Sequence, residues 1–201
     1  MKSIHSYIVE NKKAIVDSFE TESGTTIYID SKFDKEKGTN CICNVKEVPA
    51  LGETIIKSGF QVFIDPTIFY SNHYERGGEI DNPNILDKKN GLYSITDTMI
   101  ILYRENETSE WKGFGENFIA EPIIEEEVKT SASGIILDVE KPKVIKDRAI
   151  AKILNPEIHS QGLNIGDTII LQNNLFVSIY LDNKSMYWIR NRYVQAVLTK
   201  N

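Results

Sequence analysis

The feature that most constrains this chain is that it repeats itself. Three blocks recur in the same order. Glu22 to Asp30, a Glu-Ser-Gly turn followed by an apolar run, matches Ala132 to Glu140. Ile56 to Ile64, with its Gly59 turn, matches Leu163 to Leu171 with Gly166, and the likeness runs on through Phe69 and Phe176. Gly91 to Tyr103 matches Ser185 to Leu198. Shared order argues against coincidence, and a repeat fixes the architecture before individual strands are settled. We divide the chain into repeat one at 1–106, a linker at 107–113 and repeat two at 114–201. Repeat one is the longer mainly through 71–90, whose Gly, Asn, Asp and Lys content reads as a surface loop.

Each repeat is a succession of short runs rich in Val, Ile, Tyr and Phe, separated by Gly, Pro, Asn and Asp. That is the pattern of strands and turns, and no segment sustains a helical period. Expected strands include 14–19, 25–30, 41–48, 61–64, 92–95, 99–103, 117–124, 135–139, 149–154, 168–171, 175–181, 187–190 and 194–198. The expected class is all-β, two small barrels in tandem.

Charge and hydropathy narrow the partners. The net charge is −6, and 1–110 carries 18 acidic against 12 basic residues while 111–201 is balanced. Nucleic acid needs a basic footprint, so it is not an expected partner. Apolar runs such as Met99 to Tyr103 are far shorter than the ~20 residues that span a bilayer, so no membrane partner is expected. The start, Met-Lys-Ser-Ile-His-Ser-Tyr, lacks the apolar core of a secretory signal, which points to the cytoplasm. Cys41 and Cys43, two apart in a strand, share a face and read as reduced structural thiols.

Repeat two resembles the GroES-type co-chaperonins of the chaperonin-ten fold over nearly its whole length. Asn117 to Ile124 resembles the family's first strand, and Glu127-Val128-Lys129-Thr130-Ser131-Ala132-Ser133-Gly134-Ile135-Ile136-Leu137 its mobile loop, with a small-residue hinge and an apolar tripeptide. Ala149 to Leu154, the Ile165-Gly166-Asp167 turn and the closing Tyr187-Trp188-Ile189 to Leu198 stretch follow in family order. Repeat one is similar but degenerate. It has Phe60 where Asp follows the turn glycine, and Gly24-Thr25-Thr26-Ile27 in place of the tripeptide. Two fused units resemble the tandem co-chaperonins of plastids, without a transit peptide.

The resemblance implies a GroEL-type chaperonin as partner, a homo-oligomeric ring as assembly, and Ser133, Gly134, Ile135, Ile136 and Leu137 as the chaperonin-binding loop. The physics of the loop agrees with it. Thr, Ser and Gly form structure weakly, and three apolar residues at a tip suit a groove on a partner. Taken alone, Ile135 to Leu137 also read as the start of a buried strand; the flanking pattern favours docking. Ordering on contact keeps each contact weak, and a ring of copies recovers affinity through effective concentration. Two units per chain do not divide into a seven-fold partner, unless only repeat two docks.

Chemistry-bearing motifs are missing. No phosphate loop, His-Glu-x-x-His or Gly-x-Ser-x-Gly occurs, His5, His73 and His159 are scattered, and Cys-x-Cys lacks further ligands for a metal. Glu125-Glu126-Glu127 reads as a solvated end. We therefore expect no enzyme, no cofactor and no metal. The rival expectation is a structural ring or connector, for example of a bacteriophage virion, that reuses the fold.

Overall fold

The computed structural model describes residues 3–15, 18–20, 25–28, 38–70, 73–75, 78–80, 82–125, 128–130, 136–139, 143–172, 175–182 and 184–198. The chain forms two compact units, Met1–Gly115 and Glu116–Asn201. Both are built from antiparallel strands, so the class is all-β.

Unit one runs Tyr7–Glu10 (β1), Ser18–Glu20 (β2), Thr26–Tyr28 (β3), Ile42–Glu47 (β4), Gln61–Ile64 (β5) and a short helix, Thr67–Tyr70 (α1). His73–Glu75 (β6), Gly78–Ile80 (β7), Ile85–Asp87 (β8), Leu92–Ile95 (β9), Ile100–Arg104 (β10) and Lys112–Gly113 (β11) complete it. Seven of these strands form one sheet in the order β11-β10-β5-β4-β1-β9-β8, while β2–β3 and β6–β7 are separate two-stranded sheets. Unit two runs Asn117–Glu125 (β12), Val128–Thr130 (β13), Ile136–Val139 (β14), Lys143–Ile153 (β15), the helix Pro156–Ser160 (α2), Thr168–Leu171 (β16), Val177–Leu181 (β17), Lys184–Arg190 (β18) and Val194–Leu198 (β19). Its main sheet has the order β19-β16-β15-β12-β18-β17, with β13–β14 apart.

Written this way, the two sheets are the same ladder, position for position, with β11 the one addition. Their details coincide too. Gly59 (φ +91°) and Gly166 (φ +93°) each stand two residues before the strand β5 or β16. Each donates its N–H to the preceding long strand, Gly59 to the Val45 carbonyl at 2.8 Å and Gly166 to the Ala151 carbonyl at 2.9 Å. A left-handed backbone at this turn is what glycine supplies without steric cost. A turn of 3-10 helix joins β9 to β10 at Asp97–Met99 and β18 to β19 at Asn191–Tyr193. Lys46 pairs with Glu10 at 2.9 Å, and Lys152 pairs with Glu121 at 2.7 Å.

Alternate residues of the strands turn toward one core in each unit, and β5, β10 and the start of β12 are buried on their other face as well. In unit one Tyr7, Val9, Cys43, Val45, Val62, Ile64, Ile95 and Ile100 close into one core; in unit two Phe118, Ala120, Ala149, Ala151, Ile169, Leu171, Tyr187 and Ile189 form the other. Each large aliphatic or aromatic side chain so buried contributes about 1.5–3 kcal/mol before entropy. Polar ties differ. Tyr7 Oη donates to Asp97 Oδ1 at 2.6 Å and lies 2.6 Å from Thr54 Oγ1, where unit two has Phe118. Unit two instead buries Asn155, which caps α2 through Ile158 N–H at 2.9 Å and donates to the Asn117 carbonyl and Asn191 Oδ1.

Several expectations need correction. The strand expected over 14–19 is a single bridge from Ile15 to Thr39, followed by β2 from Ser18. The stretch 71–90, expected as loop, contains β6, β7 and β8. The strand expected from Ala149 starts at Lys143, and β1, absent from the expected strands, sits between β4 and β9. Short polar strands such as β6, β7 and the start of β15 carry little apolar alternation, whereas β1, Tyr-Ile-Val-Glu, is an apolar run as strong as that of β5.

Candidate functional site

The candidate loop grows from the longest ladder of unit two. β12 and β15 pair from Ile119–Ile153 down to Pro122–Ala149, then the register jumps to Ile123–Ile145. Lys146, Asp147 and Arg148 are the extra residues of that bulge, which frees the two strands from the sheet while Arg148 still pairs with Ile170 of β16. Bulges bend and twist a strand in this way. Beyond it, Ile123, Ile124 and Glu125 pair with Ile145, Val144 and Lys143 as a two-stranded ribbon. Ile124 and the facing Val144 are 55% and 38% exposed, a cross-strand apolar pair without cover. An open groove of about 800 Å³ beside them is lined by Glu125, Val144, Ile145, Lys146, Asp147 and Arg148.

The ribbon leads to the hairpin of β13 and β14. Val128 pairs with Val139, Lys129 with Asp138 and Thr130 with Ile136, so Leu137 is the extra residue of a one-residue bulge. Of the loop residues expected from the sequence, Ile136 and Leu137 fall on β14, whereas Ser133, Gly134 and Ile135 lie outside the described residues. Ile136 and Leu137 begin a strand, but that strand pairs with β13 and not with the six-stranded sheet. Unit one has a hairpin at the same place in the ladder: β2 and β3, between β1 and β4, pair Ser18 with Tyr28, Phe19 with Ile27 and Glu20 with Thr26.

The edges form the second feature. In unit one the last strand, β10, is covered: Leu102 and Tyr103 pair with Gly113 and Lys112 of β11, Phe114 N–H donates to the Ile101 carbonyl at 3.0 Å, and the Phe114 ring meets Tyr103 edge-on. Ile100 to Tyr103 are consequently buried. In unit two the equivalent strand, β19, ends the sheet. It pairs with β16 alone among the described residues, and Gln195 to Leu198 are exposed. The sequence showed β19 as a strand and could not show it as an edge, because that depends on the order of the ladder.

The two thiols and the Tyr7 phenol are held in their protonated forms. Burial raises the Cys43 thiol to about 12, and burial followed by the neighbouring Cys43 raises Cys41 as well, so both stay protonated. Burial and the bond to Asp97 raise Tyr7 to about 12. His159 Nδ1 lies 3.1 Å from the Leu163 carbonyl, within a turn. Among the described residues no three His, Cys, Asp or Glu side chains converge as a metal site, and no helix is long and apolar enough to cross a membrane. Glu125 is exposed, while Glu126 and Glu127 lie outside the described residues. No family model matches the chain, and no curated protein matches it.

Proposed function

We propose that this chain is a GroES-like co-chaperonin: two tandem barrel-type units that assemble into a cytoplasmic ring and cap a GroEL-type chaperonin through the 128–139 hairpin. One observation carries the reading. Among the described residues the strand bearing Ile136 and Leu137 pairs with β13 alone and not with the six-stranded sheet, and the strands on either side of that hairpin leave the sheet as a ribbon. Apolar groups presented on such an arm suit a hydrophobic groove on a partner. The matching hairpin in unit one supports a common design with a degenerate first copy. Ring assembly is supported by β19, an edge whose counterpart β10 is already paired; a head-to-tail contact of this kind closes when its rotation fits. The reading assigns the chain no catalysis, cofactor or metal, and leaves energy input to the partner's ATPase.

The test is capture of the purified chain by a bacterial chaperonin with ATP, beside a variant carrying Ile135→Ser, Ile136→Ser and Leu137→Ser. Capture of the unmodified chain alone supports docking through the hairpin. Capture of neither, with both folded, overturns it. A structural ring or connector of a virion is then the better reading, and one observation already favours it: unit one adds the β6–β7 hairpin, which has no counterpart among the described residues of unit two.

A further inference from the structure

The turn between β8 and β9 carries the dipeptide Asn90-Gly91, and its geometry bears on a reaction rather than on docking. Asn90 is exposed. Its backbone N–H donates to Asp87 Oδ1 at 3.1 Å and its side-chain Nδ2 donates to Asp87 Oδ2 at 2.6 Å, so one carboxylate grips both ends of the residue. Gly91 has φ +63°, and a Cβ there would stand 2.4 Å from the Asn11 carbonyl oxygen. The Gly91 carbonyl accepts from Asn11 N–H at 2.8 Å, which joins the turn to the end of β1.

We propose that Asn90-Gly91 is a site of spontaneous deamidation, and that Asp87 sets its rate by holding the Asn90 amide upstream, away from the Gly91 nitrogen. In this reaction the Gly91 backbone nitrogen gives up its proton and bonds to Asn90 Cγ. The Cγ–Nδ2 bond breaks and ammonia leaves with that proton. Water then opens the succinimide at either carbonyl, leaving aspartate or isoaspartate. No oxidant or cofactor enters. Glycine favours the attack because it places no side chain beside the nucleophile, and Asp87 opposes it because its short, charge-assisted bond to Asn90 Nδ2 must be released before Cγ can swing to the Gly91 nitrogen. The same grip holds the Asp87 carboxyl below its ordinary range, chiefly through the Asn90 side chain.

The product changes the turn. An aspartate at 90 sets two carboxylates where an amide met one, and like charges at that spacing repel. An isoaspartate also lengthens the main chain one residue before Gly91, which Asn11 holds, loosening the β8–β9 turn from the end of β1.

The experiment incubates the full chain at mildly alkaline pH and follows the peptide containing Asn90 by mass spectrometry, reading the gain that accompanies NH2 replaced by OH. Three samples are compared: the folded chain, folded Asp87→Ala, and the chain unfolded in urea. We expect the unfolded chain to convert fastest and Asp87→Ala about tenfold faster than the unmodified fold, the weight of one charge-assisted hydrogen bond. Asp87→Asn, which keeps an acceptor without the charge, falls between and guards against a misfolded alanine variant. Equal rates for folded Asp87→Ala, Asp87→Asn and the unmodified chain overturn the proposal.

Discussion

Units one and two share a ladder and differ in what happens at its ends. The last strand of unit one is paired, buried and capped by an edge-on aromatic contact, whereas the last strand of unit two carries exposed Val197 and Leu198 on an unpaired edge. The first loop of unit two leaves on a ribbon three residue pairs deep, while in unit one β1 and β4 stop pairing at Glu10–Asn44. The lesson is that one sheet order can serve two purposes. Covering its ends makes a stable module, and leaving them open makes surfaces that need a partner.

That comparison can be broken by substitution. The largest expected effect is at the place where unit one packs backbone on backbone. Gly91→Ala forces a Cβ against the Asn11 carbonyl at a positive φ and costs about 3 kcal/mol, whereas Gly166→Ala, with open space around it, costs about 1 kcal/mol. Thermal melts of the two variants should separate accordingly, and equal losses would contradict the contact. Next comes Asn155→Ala, which removes the α2 cap and two bonds to β12 and the 3-10 turn of unit two. We expect a loss of about 2 kcal/mol in urea melts, confined to unit two.

A smaller change sharpens the comparison. Tyr7→Phe gives unit one the residue unit two uses and forfeits the bonds to Asp97 and Thr54, at about 1 kcal/mol in the same melts. Smallest is the Glu10–Lys46 pair. The Lys46 bond is the main cause that holds the Glu10 carboxyl below its ordinary range. A depressed carboxyl stabilises the fold above its unfolded pKa, and that gain is lost as pH falls through the folded value. Lys46→Ala should therefore lower the melting temperature slightly at pH 7 and not at all in strong acid; an effect that persists in acid would contradict the pairing.

Much of the ladder was legible. Runs 61–64, 92–95, 168–171 and 194–198 are strands with those bounds; in the first three, β-branched and aromatic residues meet a buried face, and in the last the Val and Leu residues form a strand although most of it is exposed. The two turn glycines announced themselves because their φ admits little else. Other parts were not. The first part of β15, Lys143 to Asp147, leaves the sheet and is largely polar, so it shows no alternation. β11 is two residues long and owes its existence to β10. Ile136 and Leu137 were visible as an apolar run beside small residues, but Ile124 and Val144 were not. Each looks like an ordinary strand residue until the bulge at 146–148 places the pair on a two-stranded ribbon.

Sedimentation of the full chain, beside Val197→Lys, tests the contrast between the two edges most directly. A charge on an open edge blocks strand addition, while the same exposed position tolerates lysine within the fold. The account predicts a discrete oligomer for the unmodified chain and a folded monomer for the variant. A monomer in both cases, at concentrations well above those of binding, would contradict it.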